Sequence, residues 1–193
     1  MDLFLGLSFL VLLVLGYFFY TNPSQWHYYL KWVPASAFMI SARAYGMTDE
    51  AWSTAFILAG FFTVFIFMIL SRQGIIYDRL MLGVNLFFLM GAYGFLSGND
   101  AILEWYSASK GGPFFGCIVV VGLLSTLFTQ YGFVGVRHKN KQAVQYASFL
   151  LFAAAVIALI WSVRADEQGL LISVVIPFIL LRVIRDQLVR QMD

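Results

Sequence analysis

The sequence predicts an all-α, polytopic integral membrane protein. Five stretches of about twenty residues or more contain no Asp, Glu, Lys or Arg, and about 20 apolar residues rising about 1.5 Å each span the roughly 30 Å hydrocarbon core of a bilayer. Of the 193 residues, 61% are hydrophobic and 11% are charged, whereas soluble domains carry roughly 25% charged residues. We therefore expect residues 1–193 to form a single transmembrane domain without a sizeable soluble part.

Six helical spans fit the uncharged stretches. The first is expected to be a retained helix rather than a signal peptide, because no basic residue precedes it. The sixth is the weakest, since it is short, contains Pro177 and has Arg182 near its end. A topology of four or five spans is the alternative. The predicted spans are Leu3–Tyr20, Ala51–Leu70, Leu80–Leu96, Pro113–Phe133, Ala143–Val163 and Gly169–Ile184.

The orientation follows from Lys and Arg residues in the short loops, which are enriched on the cytoplasmic side. One side would hold Arg72, Arg79, Arg137, Lys139, Lys141, Arg182, Arg185 and Arg190. The other would hold Lys31, Arg43, Lys110 and Arg164. The first set is the larger, so we expect both termini to be inside. The localisation expected from the short basic loops is the bacterial inner membrane.

The longest external segment, residues 21–50, is expected to contain an interfacial or re-entrant helix. Residues 35–45 favour a helix and are weakly polar, whereas Lys31 and Pro34 argue against a further span. Amphipathic aromatic rings favour the headgroup level, and several lie near the predicted span ends: Tyr17, Tyr20, Trp26, Trp52, Trp105, Tyr106 and Trp161.

Residues able to do chemistry are sparse and scattered, which argues against an enzyme. The interiors of the spans contain no ionisable residue, whereas proton relays and ion-coupled carriers need one there. The two histidines, His27 and His138, fall in loops on opposite sides, and Cys117 is the single cysteine. We therefore predict no catalytic residue, no metal and no cofactor.

Two alternative functions use different residues. A channel or facilitator for a small solute or ion would be lined by polar side chains, namely Asn85, Thr126, Thr129 and Gln130. A lipid-modifying enzyme would use external carboxylates such as Asp100 and Glu104, which share one face if their loop is helical.

Small residues in the spans predict close helix packing, either within one chain or between copies. They allow helix backbones to approach each other in lipid, and the amide of Asn85 would seek a partner across helices. The residues concerned are Gly83, Gly91, Gly94, Gly116, Gly122, Ala154 and Ala158. We expect spans three to five to form the centre of the bundle and the chain to form a homo-oligomer.

Residues 182–193 are predicted to form an amphipathic cytoplasmic tail. Apolar residues recur every three to four positions at Leu181, Ile184, Leu188 and Met192, and the basic residues between them would attract anionic lipid or a soluble protein. Together with the basic loop 137–141, the candidate partner-binding residues are Arg137, Lys139, Lys141, Arg182, Arg185, Leu188 and Arg190.

These observations favour a non-enzymatic membrane protein. We expect it to act as the sensor or anchor subunit of a small system whose effector is a cytosolic protein, with membrane lipid as its other partner and no direct contact with nucleic acid. Membrane subunits of this size occur in bacterial immunity and phage-defence operons, which is an analogy of size and topology without a shared motif.

Overall fold

The computed structural model describes residues 29–44, 48–75, 77–108, 111–165, 169 and 171–192. The predicted first span Leu3–Tyr20 and the turn and aromatic residues that follow it to Tyr28 lie outside the described residues. Within the described ranges the protein is all-helical, with no strand. The helices are α1 (Val33–Ala44), α2 (Asp49–Arg72), α3 (Arg79–Ser97), α4 (Asp100–Ala108), α5 (Gly111–Phe128), α6 (Lys141–Arg164) and α7 (Ile176–Arg190), with a π-helical turn (Leu171–Val175) before α7.

Four of these helices, α2, α3, α5 and α6, are long and apolar enough to cross a membrane. The second to fifth predicted spans are therefore confirmed as helices of this kind. The predicted sixth span is not among them. It is divided between the π-helical turn and α7, and α7 carries Arg182, Arg185, Asp186 and Arg190 within its 15 residues. The uncharged part of the predicted sixth span, residues 168–181, is shorter than the about 20 residues of a typical span.

Polar side chains define where several of these helices begin. Thr48 precedes α2, and its hydroxyl oxygen accepts a hydrogen bond from the backbone N–H of Ala51 at 3.2 Å. Asn140 precedes α6, and its side-chain oxygen accepts from the N–H groups of Gln142 and Ala143. These are the N-cap contacts that satisfy the first free N–H groups of a helix.

The described residues form two compact units, of which the first contains α1, α2 and the Phe88–Asn99 part of α3. Its interior is aromatic. The ring of Phe38 on α1 lies 4.8 Å from that of Phe56 and 5.7 Å from that of Trp52, both on α2. Phe88 on α3 completes the cluster at 5.0 Å from Phe38. Helix α1, which the sequence predicts over residues 35–45, is thus held by ring packing.

The second unit contains residues 76–87 and everything from Asp100 onward. Its helices approach each other closely at two glycines. A Cβ atom at Gly83 of α3 would lie 2.6 Å from Cα of Ile118 on α5, and one at Gly111 of α5 would lie 2.7 Å from Cβ of Ser162 on α6. At both glycines the two helices are therefore closer than a residue with a side chain would allow.

Large apolar side chains cover the outer surface of the long helices. In α2 they are Phe61, Val64, Phe65, Phe67 and Met68, and in α5 and α6 they include Leu127, Phe128, Phe149, Ile157 and Ile160. Each of these helices thus exposes several large apolar side chains, whereas soluble monomers rarely expose large apolar patches. Together with the lengths of the helices, this surface indicates a membrane protein.

Candidate functional site

Charged side chains converge at one end of the second unit, where Asp78 is the central acidic residue. Asp78 lies just before α3, and its Oδ1 accepts a hydrogen bond from the N–H of Leu80 at 3.0 Å. Its Oδ2 lies 3.5 Å from Nη1 of Arg182 on α7. The side chain of Asp78 is 9% exposed and that of Arg182 is 16% exposed, so this ion pair is largely shielded from water.

A second arginine of α7 connects the same helix to the α5–α6 loop. Nε of Arg185 donates a hydrogen bond to the carbonyl oxygen of Val134 at 3.3 Å, and its Nη1 donates to Oδ1 of Asp186 at 2.8 Å. Val134 is fully buried. Since Arg182 and Arg185 bind different segments, the first half of α7 is fixed to the rest of the second unit by polar contacts.

The third arginine, Arg79, is the first residue of α3 and differs from the other two. Its Nε is buried and has no hydrogen-bond partner among the described residues. Its side chain lies against Gly135, because a Cβ atom at that glycine would be 3.4 Å from Cγ of Arg79. Gly135 has a φ of 71°, a conformation that glycine adopts without a steric penalty. We call Asp78, Arg79, Arg182 and Arg185 the arginine cluster.

A polar pair lies beside the arginine cluster. Nδ2 of Asn85, which is 3% exposed, donates a hydrogen bond to the phenol oxygen of Tyr77 at 2.5 Å. Burial raises the pKa of the Tyr77 phenol to about 12, with nearby Asp78 adding to the increase and the bond from Asn85 opposing it. Tyr77 is therefore neutral at physiological pH, and this partner of Asn85 lies in the segment just before the same helix rather than on another one.

The basic loop between α5 and α6 presents its cations to the outside. Arg137, Lys139 and Lys141 are all exposed. The turn that carries them is held by local hydrogen bonds, since Nδ1 of His138 accepts from the N–H of Asn140 at 3.0 Å and Asn140 caps α6. The three cations therefore project from an ordered turn.

Helix α7 separates the candidate partner-binding residues of the tail into two groups. Arg182 and Arg185 face the rest of the second unit, as their contacts show. Leu188 is half-buried, whereas Arg190 is exposed. The exposed side of the helix changes in character along its length. It is apolar at Ile176, Ile179, Leu180 and Val183 and polar at Gln187, Arg190 and Gln191.

The predicted packing residues contact groups of the same chain. A Cβ atom at Gly91 would overlap the ring of Phe56, one at Gly116 would lie 3.2 Å from Trp105, and one at Gly122 would lie 2.8 Å from Phe133. Gly94 and Ala158 are buried, and Ala154 is half-buried. Gly83, Gly91, Gly116 and Gly122 therefore lie at close contacts within the chain.

Apart from Asn85, the residues named for a channel and for a lipid-modifying enzyme lie on or directly after helices α4 and α5. Thr126 and Thr129 donate hydrogen bonds to carbonyl oxygens of their own helix, at Gly122 and Ser125. Asp100 and Glu104 lie on helix α4, as their spacing allows, and both are exposed, as is Gln130. Over the described ranges, no group of three His, Cys, Asp or Glu residues could hold a metal ion.

The ion pair at Asp78 is the feature that sequence reasoning missed. Its one signal in the sequence is that Asp78 is the only acidic residue between the second and third predicted spans. Nothing in the sequence pairs it with Arg182, because the two residues are 104 positions apart.

Comparison with known proteins gives no relative for this chain. No family model, no curated protein and no solved structure matches it. The arginine cluster and the basic loop are therefore interpreted from their own chemistry.

Proposed function

We propose that the protein is a non-enzymatic membrane anchor or sensor subunit that binds an acidic cytosolic protein through a basic surface. This surface consists of the exposed cations Arg137, Lys139, Lys141 and Arg190. In this proposal the chain crosses the bacterial inner membrane six times with both termini inside, and it assembles as a homo-oligomer through exposed apolar faces.

The observation that carries the proposal is the ordered turn of the basic loop. Three exposed cations project from a segment whose backbone is held by the His138 and Asn140 contacts. An array of cations on an ordered backbone loses less conformational freedom when it binds an acidic surface, and complementary charge accelerates association. Such an array favours recognition of a protein over diffuse attraction to a surface.

The exposed surface of α7 supports a position for its C-terminal end on the same side of the membrane as the basic loop. Its outward surface is apolar as far as Val183 and polar from Gln187 onward, which is the change expected where a helix leaves the hydrocarbon for water. The bond from Arg185 to Val134 holds this helix beside the start of the α5–α6 loop. Arg190 and the basic loop then face one aqueous side.

The test must spare the arginine cluster. Truncation after Leu181 would remove both Arg182 and Arg185 and leave the carboxylate of Asp78 without its partner, so loss of binding would have no single cause. We would instead replace Arg137, Lys139, Lys141 and Arg190 together by Gln. The variant and the native protein are purified from membranes in mild detergent, and the mass of each particle is measured by mass photometry.

The proposal expects a stoichiometric soluble protein with the native chain and its loss from the fourfold variant, with the mass of the membrane subunit unchanged. The matched control is Arg164→Gln, at the opposite end of α6 from Lys141 and also exposed, which should retain the partner. Equal recovery from the native protein and the fourfold variant would reject the basic surface. A homo-oligomer alone would reject the anchor role and favour a channel.

A further inference from the structure

Three arginines of the second unit, Arg79, Arg182 and Arg185, differ in the partners of their guanidinium groups. Arg182 is paired with Asp78, and Arg185 is paired with Asp186 and with the carbonyl of Val134. Both oxygens of Asp78 are used, one by Leu80 N–H and one by Arg182. Among the described residues, these two ion pairs leave the charge of Arg79 without a carboxylate of its own.

The guanidinium of Arg79 also lacks a hydrogen-bond acceptor where it needs one. Nε is buried, with no acceptor within the described part of the chain. Arginine remains protonated in proteins, so this N–H cannot be removed by titration. A buried N–H donor without an acceptor is costly, and the positive end of the α3 dipole is unfavourable for the charge of Arg79, the first residue of that helix. An anion bound to this guanidinium would offset both effects.

The surroundings of Arg79 indicate which anion would be available. Helix α3 is uncharged from Leu80 to its end and is long and apolar enough to cross a membrane. Arg79 therefore lies at one end of a candidate span, at the depth where lipid headgroups are found. Arg182, in the same cluster, lies next to Val183, the last exposed apolar residue of α7.

We propose that Arg79 binds the phosphate of an anionic phospholipid headgroup. Arginine presents paired N–H donors in a planar fork that matches phosphate oxygens. The ion pair of Asp78 and Arg182 keeps that carboxylate engaged, which leaves the charge of Arg79 for the lipid. This site uses Arg79, which is only partly exposed. It is separate from the exposed basic surface that is proposed to bind a protein.

The experiment uses the full chain, purified in detergent and stripped of lipid. Its thermal unfolding is followed while phosphatidylglycerol, phosphatidylcholine or inorganic phosphate is added. The native protein should show a saturable rise in Tm with phosphatidylglycerol alone. The apparent affinity should fall about tenfold or more in Arg79→Gln, from loss of charge-assisted hydrogen bonds. The control Arg72→Gln removes an exposed cation from the last turn of α2 and should leave this affinity unchanged.

Four results would overturn the proposal. Equal weakening in Arg79→Gln and Arg72→Gln, or a rise in Tm that does not saturate, would mean diffuse attraction between charges. An equal rise with inorganic phosphate would assign the site to free phosphate. If Arg79→Gln does not fold, native mass spectrometry of the native protein decides: one retained phosphatidylglycerol per chain supports the site, and none rejects it.

Discussion

Asp78 and Arg182 form an ion pair across 104 positions of the sequence, with Oδ2 and Nη1 3.5 Å apart. The pair joins the segment before α3 to the C-terminal helix, and both side chains are largely buried. Burial of a charge is costly unless a partner is present. The position of α7 and the charge of Asp78 therefore depend on each other.

Asp78→Asn should lower the Tm of the purified protein and cost about 1–3 kcal/mol of stability. The asparagine oxygen can still accept from Leu80 N–H, so the start of α3 is retained while the charge opposite Arg182 is lost. Asp100→Asn is the matched control, because Asp100 is exposed in the first turn of α4, and its effect should stay within about 0.5 kcal/mol.

The double variant Asp78→Asn with Arg182→Gln separates an ion pair from two independent effects. If the residues are coupled, the double variant loses less stability than the two single variants added together, by about 0.5–3 kcal/mol. Simple additivity would show that the contact contributes nothing to stability.

Gly83→Ala should destabilise the contact between α3 and α5. The new Cβ would lie 2.6 Å from a backbone atom of Ile118, so a helix must shift, which costs about 1–3 kcal/mol in a close-packed interior. Thermal unfolding of the purified protein measures the change.

Gly116→Ala is the control for that substitution. Its Cβ would lie 3.2 Å from the ring of Trp105, a side chain that is 40% exposed and can move. The higher helix propensity of Ala, worth up to about 1 kcal/mol, should make this change nearly neutral. A larger loss at Gly116 than at Gly83 would contradict the packing described for α3 and α5.

Residues at the two ends of α6 should be accessible from opposite sides of the membrane. The helix has 24 residues, a length of about 36 Å. Cys117 is the single cysteine, so Cys117→Ala gives a background for Lys139→Cys and Arg164→Cys. An impermeant maleimide applied to intact cells should label the cysteine at 164 and leave the one at 139 unlabelled until the cells are opened.

The reverse labelling pattern would overturn the proposed orientation while leaving α6 as a span. Labelling of both positions in intact cells would reject α6 as a span. Both Lys139 and Arg164 are exposed at the surface of the second unit, so burial within the protein would not explain a missing label.

The long helices could be predicted closely from composition. The predicted second and fifth spans, Ala51–Leu70 and Ala143–Val163, differ from α2 and α6 by two residues or fewer at each end, because an uncharged run ends where charged and capping residues begin. The predicted fourth span ended at Phe133, whereas α5 ends at Phe128. The residues from Gly132 to Gly135 are apolar but form a turn with two positive-φ glycines, which hydrophobicity cannot distinguish from helix.

The tail shows the limit of sequence reasoning about sites. The sequence pattern named Arg182, Arg185 and Arg190 together as candidate partner-binding residues, whereas in the structure only Arg190 of the three is exposed. A helical repeat gives the angle between side chains, but the direction of the whole pattern depends on what the helix packs against. Here that is Asp78 and the Val134 carbonyl.

Local composition thus decided which segments are helical and apolar, because span length and the absence of charge are properties of a continuous stretch of chain. Tertiary structure decided which cations are available to a partner. The ion pair of Asp78 with Arg182 and the contact of Gly83 with Ile118 join segments that are distant in sequence. The burial of Arg79 Nε, which has no acceptor among the described residues, also depends on tertiary contacts. Their energies arise from burial, which only the folded chain creates.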